Sequence, residues 1–413
     1  MPDRGHRDEG WKGDRHGRLR RLRRLRTGMP CRSNQDGIKN LRCRRFFIMK
    51  TGIIISATPQ NSPDILYASG FNAPDPFVFV ICGRQRTAYV SPLEHSRATT
   101  EMKSGIKVYE LVEGSIKTTL KTIVQEHPGT TWTVPQEFPF HLAEFMRQNS
   151  ALLACPENQL FPERSVKSGK ELKEMLKALR LAEKAMAKAV EVISNSSVDS
   201  RKRLVYGKMI LTSEYLQTVI DVEILSGGGI AEGTISSCGK HSAEPHNRGA
   251  GHVYAGQPIV IDIFPRLKNS GYWGDITRTF VKGRIPRQVL KAYCAVKDAR
   301  DFSKTIIRSG AIASDVYLAA MKILEKHGFK TGKSESGNYG FFHSLGHGVG
   351  LEIHEEPRLS PKNNKPLETG NVVTVEPGLY YPEWGGVRLE DTVVVKKSSA
   401  DTITRFPTFL EIE

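Results

Sequence analysis

The chain has 413 residues, 39% of them hydrophobic and 25% charged, a composition that fits a folded globular protein of about two domains and excludes a disordered or fibrous one. No run approaches the roughly 18 apolar residues needed to span a bilayer, and the N-terminus lacks the apolar core of a secretory signal, so a cytoplasmic location without a membrane partner is expected. The net charge of +16 is concentrated at one end: residues 1–48 hold 15 Lys and Arg against 5 Asp and Glu, a net of +10 that leaves +6 for the rest.

Residues 1–48 contain the run RHGRLRRLRRLR, Arg15 to Arg26. Such a run touches RNA or acidic membrane nonspecifically through counterion release. Asp3, Asp8, Glu9 and Asp14 argue against an acid-poor presequence, and too few apolar residues are present for a core. A basic disordered extension is expected, with no nucleic-acid partner beyond such nonspecific contact. Residues 49–164 alternate short apolar runs (GIIIS, PFVFVIC, RTAYVS, IKVYEL, TTWTVP) with polar or helical stretches, and HLAEFMRQN reads as a helix. Strands that are apolar throughout suit a sheet covered on both faces, hence a small α/β domain without a catalytic signature.

A linker around ERSVKSGK leads into a long helix in which Leu172, Met175, Leu176, Leu179, Met186, Val190 and Ile193 recur at helical spacing. Gly227-Gly228-Gly229 reads as loop, since no phosphate-binding lysine pattern follows. Further helices are predicted over SEYLQTVIDVEIL, RQVLKAYCAVKDARDFSKTII and SDVYLAAMKILEKHGF, the last with Ser314 as N-cap and Gly328 just past its end. Strands are predicted at PIVIDIF, TRTFVK, NVVTVEPGLY and GVRLEDTVVVKK. The six cysteines form no C-x-x-C pair and are expected to be free thiols.

Five residues of this second half form a constellation: Asp262 in VIDIFP, Asp275 in GYWGDITRTF, His347 in HSLGHGVG, Glu376 in TVEPGLY and Glu390 in GVRLEDT. Each falls on or beside a predicted strand except His347, which lies in a Gly-rich segment. Four carboxylates with one imidazole favour hard divalent ions, manganese first, with cobalt, iron or zinc as alternatives. Two such ions neutralise four charges that would otherwise be like charges at close quarters, so metal is expected to serve structure as well as catalysis.

With these five residues in this order and with these flanks, residues 165–413 resemble the pita-bread metallopeptidases, a family that includes aminopeptidase P, prolidase, methionine aminopeptidase and creatinase. The resemblance implies a creatinase-like α/β N-terminal domain (49–164) followed by an α+β pita-bread catalytic domain (165–413). By position, it makes Asp262 a chelator of one ion, Asp275 and Glu390 bridges, and His347 and Glu376 the ligands that complete the second. It also makes Glu376 the proton shuttle. An amide is a poor electrophile and water a poor nucleophile at neutral pH, and a pair of divalent ions answers both needs by acidifying bound water toward a pKa of about 7 and polarising the carbonyl.

Twelve residues separate Asp262 from Asp275, where the family usually has ten. If the addition lies in the turn at Lys268–Gly271, strand alternation is kept; as a bulge within a strand it would re-aim the site. His246 in AEPHNRG, with His343 and His354 flanking His347, matches the histidines of the proline-directed members. Arg388, two residues before Glu390, resembles their arginine. The implied activity is hydrolysis of the bond before a proline in second position, by an aminopeptidase P or a prolidase working as a homodimer. A methionine aminopeptidase is the enzymatic rival, against which Arg388, His343 and the extra domain count. Creatinase is disfavoured because it works without these ligands. A non-catalytic protein- or RNA-binding module has no need of five retained ligands.

Overall fold

The structure is a computed structural model that describes residues 50–335 and 337–413; the reading of residues 1–48 lies outside the described residues. The first domain is a six-stranded mixed sheet of β1 (Lys50–Ala57), β2 (Phe77–Cys82), β3 (Gln85–Val90), β4 (Ile106–Glu110), β5 (Thr130–Thr133) and β6 (Leu152–Ala154), in the order β4-β3-β2-β1-β5-β6. Helices α1 (Pro63–Ser69), α2 (His95–Glu101), α3 (Ile116–Glu126) and α4 (Phe140–Gln148) cover it. The apolar run of β1 serves both faces: Ile54 joins Leu120, Trp132 and Met146 on one side, while Ile55 joins Ile65, Phe71 and Phe79 on the other.

The second domain opens with α5 (Gly169–Ser194), started by a capping box in which Ser168 and Glu171 satisfy each other's backbone N–H groups. Its buried stripe is wider than the large apolar residues alone suggest. Ala178, Ala182, Ala185 and Ala189 are fully buried, and these small side chains let a sheet come close: a Cβ on Gly274 would lie 2.5 Å from the Ala178 backbone. Helices α5 and α6 (Ser213–Ser226) pack on one face of a sheet built from β7 (Ile235–Cys238), β8 (Ile259–Ile263), β9 (Ile276–Lys282) and, at the far edge, a C-terminal strand.

Helices α7 (Arg287–Ile306) and α8 (Ala313–Lys326) pack in the same way on a second sheet. That sheet contains β10 (Gly346–Gly348), β11 (Glu355–Leu359), β12 (Val372–Val375) and, following a separate two-stranded hairpin of β13 (Gly378–Tyr381) and β14 (Gly385–Arg388), β15 (Asp391–Val395) with an edge strand at Ala400–Thr402. Ser314 is not the cap of α8: it is the second helical residue and bonds Asn364, and Ile312 holds the cap position without a side-chain acceptor. Gly328, with φ 83°, lies one residue beyond the C-cap His327.

The predicted strands NVVTVEPGLY and GVRLEDTVVVKK are each two strands. The first breaks at Glu376-Pro377, where proline has no N–H for the ladder. The second breaks at Leu389-Glu390, where the Glu390 N–H leaves its own sheet to donate to the Thr277 carbonyl (3.0 Å). Gly227 ends α6, Gly228 (φ 82°) turns the chain, and Gly229 begins a two-residue strand. Among the described residues Cys82, Cys155, Cys238 and Cys294 are free thiols, and no described helix is long and apolar enough to cross a membrane.

Candidate metal centre

On β8, Ile259, Ile261 and Ile263 are fully buried toward α5 and α6, so alternation turns Asp262 to the opposite face. Asp262 pairs with Thr277 of β9, and the ladder runs without a register shift from Ile259–Phe280 to Ile263–Ile276. Asp275 comes two residues before Thr277, on the same face. Ile263, the first of the twelve connecting residues, belongs to that last pair; the rest of the connection lies beyond it, with a further bridge at Arg266–Trp273. It closes at Lys268–Gly271, where Gly271 (φ 75°) donates its N–H to the Leu267 carbonyl at 2.9 Å, so the added length re-aims neither carboxylate.

His347 is on a strand, β10, not in a loop. Glycine is a poor strand former, yet here it is required on both sides: a Cβ on Gly346 or Gly348 would lie 2.0 Å from the Thr374 carbonyl or 2.4 Å from that of Glu356. The imidazole Nδ1 faces the Gly348 carbonyl at 3.1 Å. A carbonyl only accepts, so Nδ1 carries the hydrogen and Nε2 is left for a ligand. Nε2 points at Glu376 Oε1 (3.3 Å) and Asp275 Oδ2 (3.7 Å).

Asp275, His347 and Glu390 have ligand atoms within 4.8 Å of one another. All five predicted ligands, with His246, His343, His354 and Arg388, line a single cleft of about 830 Å³.

The electrostatics of the cleft are those of missing positive charge. Burial, followed by the charges of Glu390, Asp262 and Glu376, pushes the Asp275 carboxyl well above its ordinary range. Burial and then Glu376 and Asp262 do the same to Glu390. Glu376 goes the other way: burial alone would raise it, but a hydrogen bond and charge from His347, available only while Nε2 carries a proton in place of a metal, bring it down to about 2. Asp262 Oδ1 and Glu390 Oε1 are buried without any partner. Buried carboxylate oxygens without donors, around an imidazole whose lone pair faces two more of them, fit divalent cations.

Arg388 holds this assembly in place. Its guanidinium donates to Asp262 Oδ2 (2.7 Å), the Tyr380 hydroxyl (3.0 Å), Thr277 Oγ1 (3.3 Å) and the Pro245 carbonyl (3.2 Å), next to His246. Thr277 in turn donates to Glu390 Oε2 at 2.9 Å.

His343 Nδ1 faces the Ser344 carbonyl (2.7 Å) and Nε2 the Tyr380 hydroxyl (3.0 Å). Tyr380, pushed up to about 12 by burial, keeps its proton and donates it to Nε2. With both ring nitrogens engaged, His343 anchors Tyr380. His354 stands edge-on to His347, ring centroids 4.3 Å apart, and burial, then the charges of His347 and Arg358, lower it to about 4. It is neutral at pH 7 and has an N–H to offer.

Two participants escaped the sequence reading. Thr277 shares the face of Asp262 by strand alternation alone, a signal that was present. Tyr380 carried none, because its contacts with Arg388 across the hairpin and with His343, 37 residues away, are set by the fold.

A profile of metallopeptidase family M24 matches residues 173–397. A Xaa-Pro dipeptidase of Pyrococcus horikoshii is 30% identical over 347 residues, covering 83% of this chain and 91% of its own. Among solved structures, a prolidase from Pyrococcus furiosus superposes with a TM-score of 0.72 at 26% identity, covering 86% of this chain and 96% of that one. An X-Pro aminopeptidase from Thermotoga maritima superposes at 0.76, covering 88% and 98%, and at 23% identity it speaks for the fold alone.

Proposed function

The chain belongs to metallopeptidase family M24, and from that premise we propose that it is a metal-dependent peptidase cleaving the bond that precedes a proline in second position. The observation that carries this reading is the cluster of buried carboxylates around His347 Nε2, in a cleft that also holds His246, His354 and Arg388. Asp262, Asp275 and Glu390 would hold one divalent ion, and Asp275, His347, Glu376 and Glu390 the other, with manganese the ion the donor set favours. When bound, such a pair supplies an acidified water and a polarised carbonyl.

The rest of the chemistry falls to the chain's own side chains. Glu376, held ionised, takes the proton of the attacking water and passes it to the leaving nitrogen. A prolyl nitrogen in a peptide bond carries no hydrogen, so the site must recognise the ring by shape and the carbonyls by donors. His246 and the neutral His354 supply those donors on either side of the bond, one of them where charge develops on the carbonyl oxygen. Arg388, its guanidinium directed to Asp262, Tyr380, Thr277 and Pro245, sets the ligand and the His246 loop in register.

The test is a hydrolysis profile on Ala-Pro, Ala-Pro-Ala and Met-Ala peptides with manganese, cobalt, zinc or iron(II) added back to metal-free protein. The reading expects prolyl substrates to be cleaved, and the ratio of Ala-Pro to Ala-Pro-Ala turnover separates dipeptidase from aminopeptidase. Turnover of methionyl peptides with none of the prolyl ones would replace it with a methionine aminopeptidase.

A further inference from the structure

Where the sequence reads as a linker, the structure buries a charged clamp. Arg164 is 2% exposed, and its guanidinium donates to Asp64 of α1 (2.7 Å), to Glu355 at the start of β11 (2.6 Å) and to Glu352 (2.8 Å). Lys167, equally buried, donates to the other oxygen of Glu355 (2.7 Å) and to the Arg164 carbonyl (2.7 Å). Glu355 Oε1 also accepts the backbone N–H groups of Leu351 (2.9 Å) and Glu352 (3.1 Å). One carboxylate therefore draws together the segment that runs from the ligand His347 to the cleft histidine His354, and one arginine fastens that carboxylate to the N-terminal domain.

We propose that Arg164 is a positioning residue for the peptidase: through Glu355 it fixes the 349–354 segment, and hence the place of His354 over the metal ligands, using Asp64 of the first domain as its anchor. The physical reason is stiffness. Charge-assisted bonds in a buried setting are short and directional, and a donor displaced by about 1 Å from its working position costs on the order of a hundredfold in rate. The N-terminal domain, which contributes none of the five ligands, then acts on the His354 segment through this guanidinium. This rests on the peptidase reading for its kinetic part and on the fold alone for its structural part.

The experiment compares Asp64→Asn, Arg164→Met and Arg164→Lys with the wild-type holoenzyme, reading kcat, KM, bound metal and hydrogen exchange at the Leu351 and Glu352 amides. Arg164→Met is expected to lower kcat by about tenfold or more, with KM within about twofold and metal content unchanged, and to speed exchange at both amides by a similar factor. Arg164→Lys should recover part of both effects, and Asp64→Asn should show a smaller loss of the same kind, about threefold. Unchanged exchange at those amides, or activity lost only in step with metal or folded fraction, overturns the proposal. If Arg164→Met does not fold, Asp64→Asn decides: wild-type kcat and wild-type exchange together overturn it. Should the wild type cleave no prolyl substrate, the peptidase reading falls, while the exchange data still decide the clamp.

Discussion

Two clusters of carboxylates in this molecule, buried or nearly so except for the half-exposed Glu352, are neutralised in opposite ways. In the clamp, Asp64, Glu352 and Glu355 meet Arg164 and Lys167; burial alone would raise Glu355, but Lys167 and Arg164 outweigh it and its carboxyl sits below the ordinary value. In the cleft, four carboxylates share one guanidinium, and Asp275 and Glu390 are raised. The contrast recurs between sequence neighbours. Glu390 is raised and lacks a partner for Oε1, while Asp391, just as buried, is lowered because Arg278, Arg300 and Lys304 outweigh its burial. Burial of acid groups therefore does not mark the site; burial without cations from the chain does.

The comparison is sharpest at that adjacent pair. Glu390→Gln should abolish hydrolysis and reduce bound metal, yet in chelator it should melt above the chelated wild type, because the folded site then carries neither a repelling charge nor the cost of taking up a proton. A calorimetric scan of both states reads this, and a lower melting point in both would show that Glu390 is compensated within the chain. Asp391→Asn should do the reverse. It leaves buried Arg278 unpaired and should cost about 3–5 kcal/mol in urea unfolding, with metal stoichiometry retained. Loss of metal without loss of stability would erase the distinction between the neighbours.

Next in size, His354→Ala should cut kcat by about 10²–10³ with metal content intact, as removal of a transition-state donor does, whereas His347→Ala should lose metal. An effect confined to KM would make His354 a binding contact only.

The pH dependence separates the clusters by sign. Asp275 and Glu390 have raised folded-state values, so in chelator their stabilising contribution is present below the ordinary carboxylate range and is lost as pH rises through those raised values. Glu355 and Asp391 have depressed values, so theirs is present above that range and is lost as pH falls through them. Metal-free protein should thus be most stable at mildly acid pH, and manganese should move the maximum upward because the ligands bind it deprotonated. A flat profile, with and without metal, would contradict both assignments. Smallest of all, Glu352→Gln, at the half-exposed arm of the clamp (45%), should change stability by no more than about 0.5 kcal/mol.

Much of this was legible in the sequence, for physical reasons. The α5 stripe and the strand alternation at Asp262 are local periodicities, and five ligands in order carry the site with them. What was hidden depends on contacts distant along the chain. Glu376 and Glu390 sit where strands break, and those breaks follow from Pro377 and from a hydrogen bond between sheets. β10 consists of Gly346, His347 and Gly348, whose glycines disguise a strand that neighbouring carbonyls leave no room to build otherwise. Ser314 looked like a cap because its type suits one, but the helix begins a residue earlier. Arg164 read as linker because its partners lie 100, 188 and 191 positions away.

The central claim is that the uncompensated carboxylates are completed by two divalent ions. Manganese titrated into metal-free protein at neutral pH, with bound metal counted per chain and proton release followed in the same experiment, tests it directly. Two ions per chain, bound with release of protons from the raised carboxyls and with the second ion lost in Glu390→Gln, is the predicted result. Saturation at fewer than two ions, or a Glu390→Gln protein that still binds two, would contradict it.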